Sequence, residues 1–187
     1  QWKESALRKP LVLRGARQVG KTYILTAFAK QEYQDYIYIN FDQDPHFASF
    51  FQENLDPVRI IKEFNIYFKK TIQPRSTLII LDEIQECPQA LASLKYFCEN
   101  SNEYHVATAG SLLGVKLSQG FPVGKVNFLD LAPLNFFEFL HALGENALRV
   151  MLEEQKDPKA ISEIFHNKLI GFLKYYFVVG GMPEAVS

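Results

Sequence analysis

Cysteine is scarce in this chain: Cys87 and Cys98 are the only two, eleven positions apart, with no second pair and no histidine cluster. That excludes a disulfide framework and a cysteine-based zinc site, and it predicts reduced thiols in a cytoplasmic protein. Charge of one sign is lacking too. Twenty Lys and Arg against twenty-one Asp and Glu leave a formal net charge of −1, so the overall balance does not support non-specific binding to nucleic acid or to a membrane surface. Long apolar runs are missing as well. The most apolar region, around Ile170 to Met182, is interrupted by Lys174 and two glycines, so no membrane span is expected. What remains is 187 residues of 48% hydrophobic and 14% aromatic composition, enough for a well-packed core and unlike a disordered chain.

The richest stretch is Gly15-Ala16-Arg17-Gln18-Val19-Gly20-Lys21-Thr22, which fits the phosphate-binding pattern G-x-x-x-x-G-K-[ST] (Walker A) at every fixed position. Pro10 to Arg14 before it reads as a short buried strand. Tyr23 to Lys30 after it reads as a helix with Ile24, Leu25 and Phe28 on one face. Strand, glycine loop and helix suit a triphosphate, because backbone N–H groups and the positive end of the helix dipole converge on its negative charge. Gly15 and Gly20 allow a tight turn and close approach of the backbone to the ligand. Lys21 is expected to reach the β and γ phosphates and Thr22 to offer its hydroxyl to Mg2+, with Tyr23 next to them at the helix start.

The second informative stretch is Thr77-Leu78-Ile79-Ile80-Leu81-Asp82-Glu83, an unbroken apolar run that ends in two carboxylates. Such a run reads as a parallel strand buried on both faces, and ligands bind at the carboxyl ends of these strands. Asp82 is therefore expected as a partner of Mg2+ (Walker B) and Glu83 as the base that orients and deprotonates the attacking water.

Three further segments read as strands: Tyr36 to Phe41, His105 to Ala109 and Lys125 to Leu131. Asp42 and Asp44 beyond the first of these read as turn residues. Asp56 caps a helix opened by Pro57, with Val58, Ile61, Phe64 and Phe68 as its buried stripe, and Pro88 opens another with Leu91, Leu94 and Cys98. Trp2 is expected as a core or an exposed aromatic, the alternative being a stack on a nucleotide base. Gly110-Ser111 ends the strand after the Asp-Glu strand. The chain resembles P-loop proteins with a strand inserted between the loop strand and the Asp-Glu strand, whose tip carries a polar residue aimed at the γ-phosphate or the water. That resemblance implies Ser111, with Thr108 as the alternative, for the contact. An N-cap or turn role is open for Ser111. Asn135 and Glu138 form a capping-box pair before Gly144. Helical pattern follows over Glu145 to Glu154, from Asp157-Pro158 to about Lys168, and through an aromatic stretch to Val179, before Gly180-Gly181-Met182-Pro183 and a last helix.

On Arg14 to Thr22, Leu81-Asp82-Glu83-Ile84-Gln85, Gly110-Ser111-Leu112-Leu113-Gly114, Pro133 to Phe139 and Gly180-Gly181-Met182-Pro183-Glu184, the chain resembles a P-loop ATPase of the AAA+ superfamily. More narrowly it is similar to a bacterial and archaeal group in which this module precedes a poorly characterised C-terminal domain. The resemblance implies an α/β three-layer sandwich with a parallel sheet of order 5-1-4-3-2 over residues 1–132, and a helical lid over 133–187. It also implies ATP and ADP as ligands, Mg2+, a homo-oligomer as a possible state, and a longer protein carrying the C-terminal domain. The chain opens without Met and closes at Pro183-Glu184-Ala185-Val186-Ser187, where a helix is expected to begin. One departure matters: relatives often carry Gly-Arg before the fifth strand, and this chain has Gly124-Lys125. A lysine lacks the planar fork of an arginine finger, so Lys125 reads as an ordinary strand-edge residue. Arg149, the only arginine of the tail, leaves the lid's sensor arginine without a clear place.

Overall fold

A computed structural model describes residues 1–111, 123–155 and 161–186. The chain divides into two compact units, one of residues 1–15 and 20–131 and one of residues 132–187 with the loop residues 16–19. The first contains β1 (Leu11–Arg14), α1 (Lys21–Glu32), β2 (Asp35–Asn40), α2 (Pro57–Phe68), β3 (Thr77–Asp82), α3 (Pro88–Asn100), β4 (His105–Gly110) and β5 (Asn127–Asp130). A 3-10 segment, Pro45–Phe51, lies between β2 and α2.

The five strands form one parallel sheet of order β2-β3-β4-β1-β5. Read from the β5 edge this is the expected 5-1-4-3-2. Alternation along each strand divides the core in two. Leu11, Leu13, Leu78, Ile80, Ala107 and Ala109 pack with Leu25 and Ala29 of α1. Val12, Ile37, Ile39, Ile79, Leu81 and Val106 pack on the other face with Ile60, Ile61 and Phe64 of α2 and Leu94 and Phe97 of α3. Burial of each such side chain contributes on the order of 2 kcal/mol, which is why a sheet covered on both faces is stable without any disulfide.

Several sequence expectations shift by a residue or a turn. Val58 is 66% exposed, and the buried stripe of α2 is Pro57, Ile60, Ile61 and Phe64. Pro57 at the first helical position turns inward, which rotates the apolar face past Val58. Ile24 is exposed too, since α1 begins two residues earlier than expected and buries Lys21, Leu25 and Ala29. In α3 the buried positions are Ala90, Ser93, Leu94 and Phe97, leaving Leu91 and Cys98 half-buried. β5 is shorter than expected, because its pairing with β1 spans only Asn127 to Asp130. Trp2 belongs to the core cluster of α1, edge-on to Phe28 and His105, with its indole N–H donated to the Lys9 carbonyl at 2.9 Å.

The second unit contains α4 (Phe136–Ala142), α5 (Asn146–Glu154), α6 (Glu163–Val179) and the short α7 (Pro183–Val186). Asn135 and Glu138 make the expected capping box: each side chain accepts the other's backbone N–H, at 3.0 and 2.8 Å. The core of this unit is small, with Leu140, Leu148 and Leu169 at its centre. The expected helix start at Asp157-Pro158 lies outside the described residues. The aromatic stretch continues one helix from Glu163 to Val179. Gly181 has a steric reason: a Cβ there would lie 2.0 Å from the Leu134 carbonyl oxygen, and the Gly181 carbonyl accepts the Leu134 N–H at 2.7 Å. The Tyr176 hydroxyl donates to the same Leu134 carbonyl at 2.8 Å. The motif residues at Pro133 to Phe139 and Gly180 to Glu184 are thus joined by packing.

Candidate functional site

β1 ends at Arg14, where its guanidinium forms a two-pronged pair with Asp130 at the end of β5, at 2.7 and 2.8 Å. The chain then enters the glycine loop. Gln18 at φ 63 and Gly20 at φ 91 are both left-handed. At Gly20 a Cβ would meet nothing within 4 Å, so among the protein's own atoms it is the backbone angle, and not crowding, that favours glycine there. Ala16, Arg17 and Gln18 are exposed, Val19 is buried, and Tyr23 is 76% exposed. Lys21 is buried in the first turn of α1 and donates to the Gly15 carbonyl at 3.0 Å. That bond ties the ammonium back across the loop it follows.

At the end of β3, Asp82 is 1% exposed and receives two hydroxyls on one oxygen. Thr22 Oγ1 donates to Asp82 Oδ2 at 2.6 Å and Tyr38 Oη donates to it at 2.8 Å, while Oδ1 accepts the Glu83 N–H at 2.9 Å. A buried carboxylate with three donors is satisfied without a cation. The Thr22 hydroxyl and the Asp82 carboxylate are nevertheless adjacent hard oxygens, the donor set that Mg2+ takes, so the residues present fit that ion. Burial pushes the Tyr38 phenol up to about 12; the Asn40 amide opposes this and the Asp82 bond adds to it. Tyr38 therefore keeps its proton at neutral pH and remains a donor. Asn40, in register with Asp82 across β2 and β3, donates to Tyr38 Oη at 3.2 Å and accepts the Asp42 and Gln43 N–H groups. The expected turn role of Asp42 is thereby realised by its backbone.

Glu83 has left-handed backbone, φ 48. A non-glycine residue in that region costs on the order of 1 kcal/mol or more and tends to be held there by its surroundings at functional sites. Its Oε2 accepts the Gln85 side-chain amide at 2.5 Å and lies 3.4 Å from Ser111 Oγ. Gln85 Oε1 is buried with no partner among the described residues. Ser111 therefore stands beside Glu83. Thr108 does not: it lies inside the sheet, in register with Val12 and Leu81, fully buried and with no partner for its hydroxyl among the described residues. β4 runs to Gly110, one residue beyond expectation, so Ser111, the preferred of the two candidates, stands immediately after the strand.

Gly15, Lys21, Thr22, Asp82, Glu83 and Ser111 thus gather at the carboxyl ends of β1, β3 and β4. Lys125 lies elsewhere and pairs with Glu99 at 2.9 Å. Arg149 pairs with Glu153 on α5. Sequence reasoning missed Tyr38, Asn40 and Gln85. A usable signal existed for Asn40, a polar residue at the carboxyl end of a strand adjoining β3. Tyr38 reads as an ordinary strand aromatic until its phenol is seen against Asp82.

The AAA domain family matches residues 7–140, and the chain belongs to that family. Its fold is that of AAA+ P-loop ATPases. The structure of PCH-2 from C. elegans is similar with a TM-score of 0.57 at 14% identity, over 94% of this chain and 52% of that one. The Drosophila ORC structure, solved bound to DNA, is similar with a TM-score of 0.56 at 16% identity, over 98% of this chain and 55% of that one. The chain spans about half the length of each, and at these identities the likeness is one of fold. Among curated proteins no relative matches. No helix among the described residues is long and apolar enough to cross a membrane.

Proposed function

We propose that this AAA domain binds ATP at Gly15 to Tyr23 and hydrolyses it to ADP and phosphate, driving conformational change in a larger protein. The observation that carries the reading is the 2.6 Å bond from the Thr22 hydroxyl to Asp82, which joins the end of the loop to the end of β3 with Glu83 immediately after it. In this reading the loop N–H groups and Lys21 hold the phosphates. Thr22 and Asp82 hold Mg2+, which when bound neutralises charge on the β and γ phosphates. Glu83 accepts a proton from water as the water oxygen bonds to the γ-phosphorus and the bond to the bridging oxygen breaks; ADP carries away that electron pair. Gln85 and Ser111 restrain Oε2 of Glu83, which leaves Oε1 to face the water. Residues 133–187 serve as the helical lid, and Ser111 reports the state of Glu83.

A second reading is a switch that binds ATP and turns it over only with a partner or a second copy of the chain. The hydrogen bond holding Glu83 to Gln85 favours it, because a restrained base needs a trigger. Phosphate release with Mg2+ and ATP separates the two. For the parent and for Glu83→Gln, hydrolysis is expected to fall by about 10²-fold or more in the variant with ATP affinity retained. Equal turnover in the two proteins would remove Glu83 from the mechanism. Parent turnover per subunit that rises with protein concentration would favour the switch.

A further inference from the structure

The amino ends of β1, β3 and β4 enclose a cavity of about 460 Å³ that the nucleotide chemistry leaves unused. Its lining comes from three segments: residues 3–8 before β1, Arg75 before β3, and Asn102 to His105 leading into β4. β4 is six residues long, so this cavity and the Asp82 end of the sheet are about 20 Å apart at roughly 3.3 Å per residue.

Arg8 is 9% exposed. One of its terminal nitrogens donates to the Asn102 carbonyl, the Asn102 amide returns a bond to the Arg8 carbonyl at 2.9 Å, and the guanidinium lies 5.8 Å from the centre of the Trp2 ring. Among the described residues no carboxylate lies within ion-pair distance of Arg8 or Arg75, and the exposed Glu103 acts on Arg8 only from further away, after burial and Tyr33. An unpaired cation at such depth is costly unless an anion compensates it. Arg75 adds a second guanidinium to the same cavity, held by a left-handed backbone at φ 62 and by its N–H bond to the Glu103 carbonyl at 2.9 Å. The local potential is positive: burial, and then Arg8, Lys3 and Arg75, lower the buried His105 to about 4.

We propose that this cavity is a binding site for a small phosphate-bearing molecule, with Arg8 and Arg75 as the groups that hold the phosphate. The forked N–H groups of two guanidiniums match a tetrahedral oxyanion better than a point charge does. Ser5 and Asn102 add neutral donors for the rest of the molecule. Two carboxylates, Glu4 and Glu103, also line the cavity, and both are exposed. They select for charge concentrated at one group that reaches the floor, and against an extended polyanion lying over the opening. The site is independent of the ATPase reading, because none of its residues belongs to that machinery.

The test is a backbone amide NMR titration with inorganic phosphate at constant ionic strength, with chloride and citrate as parallel arms. It is run on the parent, on Lys21→Ala to disable the phosphate loop, and on Arg75→Gln. Arg75 is exposed, so its replacement leaves the fold intact, and the same spectra verify this. Saturable shifts at Ser5, Arg75 and Glu103 are expected in the parent and in Lys21→Ala. Arg75→Gln is expected to weaken that binding at least about tenfold, in line with loss of a charge-assisted contact, with ATP turnover unchanged. The proposal is overturned if the shifts are linear and equal with chloride. It is likewise overturned if saturation is confined to Gly15 to Thr22 and vanishes in Lys21→Ala, if Arg75→Gln binds as tightly as the parent, or if citrate saturates the site and phosphate does not.

Discussion

The two ends of one parallel sheet are built on opposite electrostatic plans. At the carboxyl ends, Asp82 and Glu83 are surrounded by donors: two hydroxyls on Asp82, an amide and a hydroxyl near Glu83, and Lys21 at the head of α1. At the amino ends, the Arg8 guanidinium meets a carbonyl and an aromatic ring, the neutral His105 meets the Tyr33 hydroxyl, and Arg75 lines the same cavity, with carboxylates only among the exposed lining residues. The difference teaches how chemistry comes to be spread or concentrated in sequence. The first end is assembled on a contiguous strand, loop and helix because converging N–H groups need consecutive peptides. The second is gathered from three loops that meet only because β1, β3 and β4 do.

The comparison is best broken by removing charge at one end and observing the other. The largest effect is expected for Lys21→Ala, which removes a buried charge-assisted donor worth about 1.5–3 kcal/mol. ATP affinity by calorimetry should fall by roughly ten- to a hundredfold, while the amino-end cavity is unaffected; unaltered affinity would place the phosphates elsewhere.

A comparable effect belongs to the amino end. His105 is lowered from 6.5 to about 4 in the folded chain, first by burial and then by the neighbouring cations. The unfolded state then binds more protons between these values, so stability is full above about pH 6.5 and is lost as pH falls towards 4. The loss is on the order of 3 kcal/mol by pH 4. Urea unfolding across this range checks it. His105→Gln should flatten that slope, and an unchanged slope would assign the acid sensitivity to other groups.

The smallest effect sharpens the carboxyl end. Tyr38→Phe removes one of the two hydroxyls on Asp82 and keeps the ring, at a cost of about 1 kcal/mol. Turnover is expected to drop several-fold, with the melting temperature lowered by only about 2–4 °C and the loss of turnover partly recovered at higher Mg2+. A fall in stability with no change in Mg2+ dependence would reduce Tyr38 to a packing residue.

The strand, glycine loop and helix at Leu11 to Glu32, the Asp-Glu strand and the capping box at Asn135 were legible because each is a local pattern with a local cause. The sheet order was implied only by the family resemblance. Burial faces were less legible. Ile24 lies in a helix that starts two residues earlier than expected, but Val58 lies in one that starts where expected, at Pro57. A correct start therefore does not fix which of two positions about 100° apart faces the core. The partners of the carboxylates were not legible at all. Tyr38 is 44 positions from Asp82, and nothing in an aromatic strand says which tyrosine ends its ring at a carboxylate.

The amino-acid sequence by itself determined the nucleotide-binding fold, since glycine at a left-handed position, a lysine and a threonine at fixed spacing, and an apolar strand ending in acids are properties of short segments. Only the tertiary structure decided which groups share an oxygen, why Gly181 must lack a side chain against Leu134, and that Arg8 is buried with no carboxylate at ion-pair distance among the described residues. Those outcomes depend on distances of a few ångströms between residues far apart in the chain, and packing sets them after the local patterns have formed.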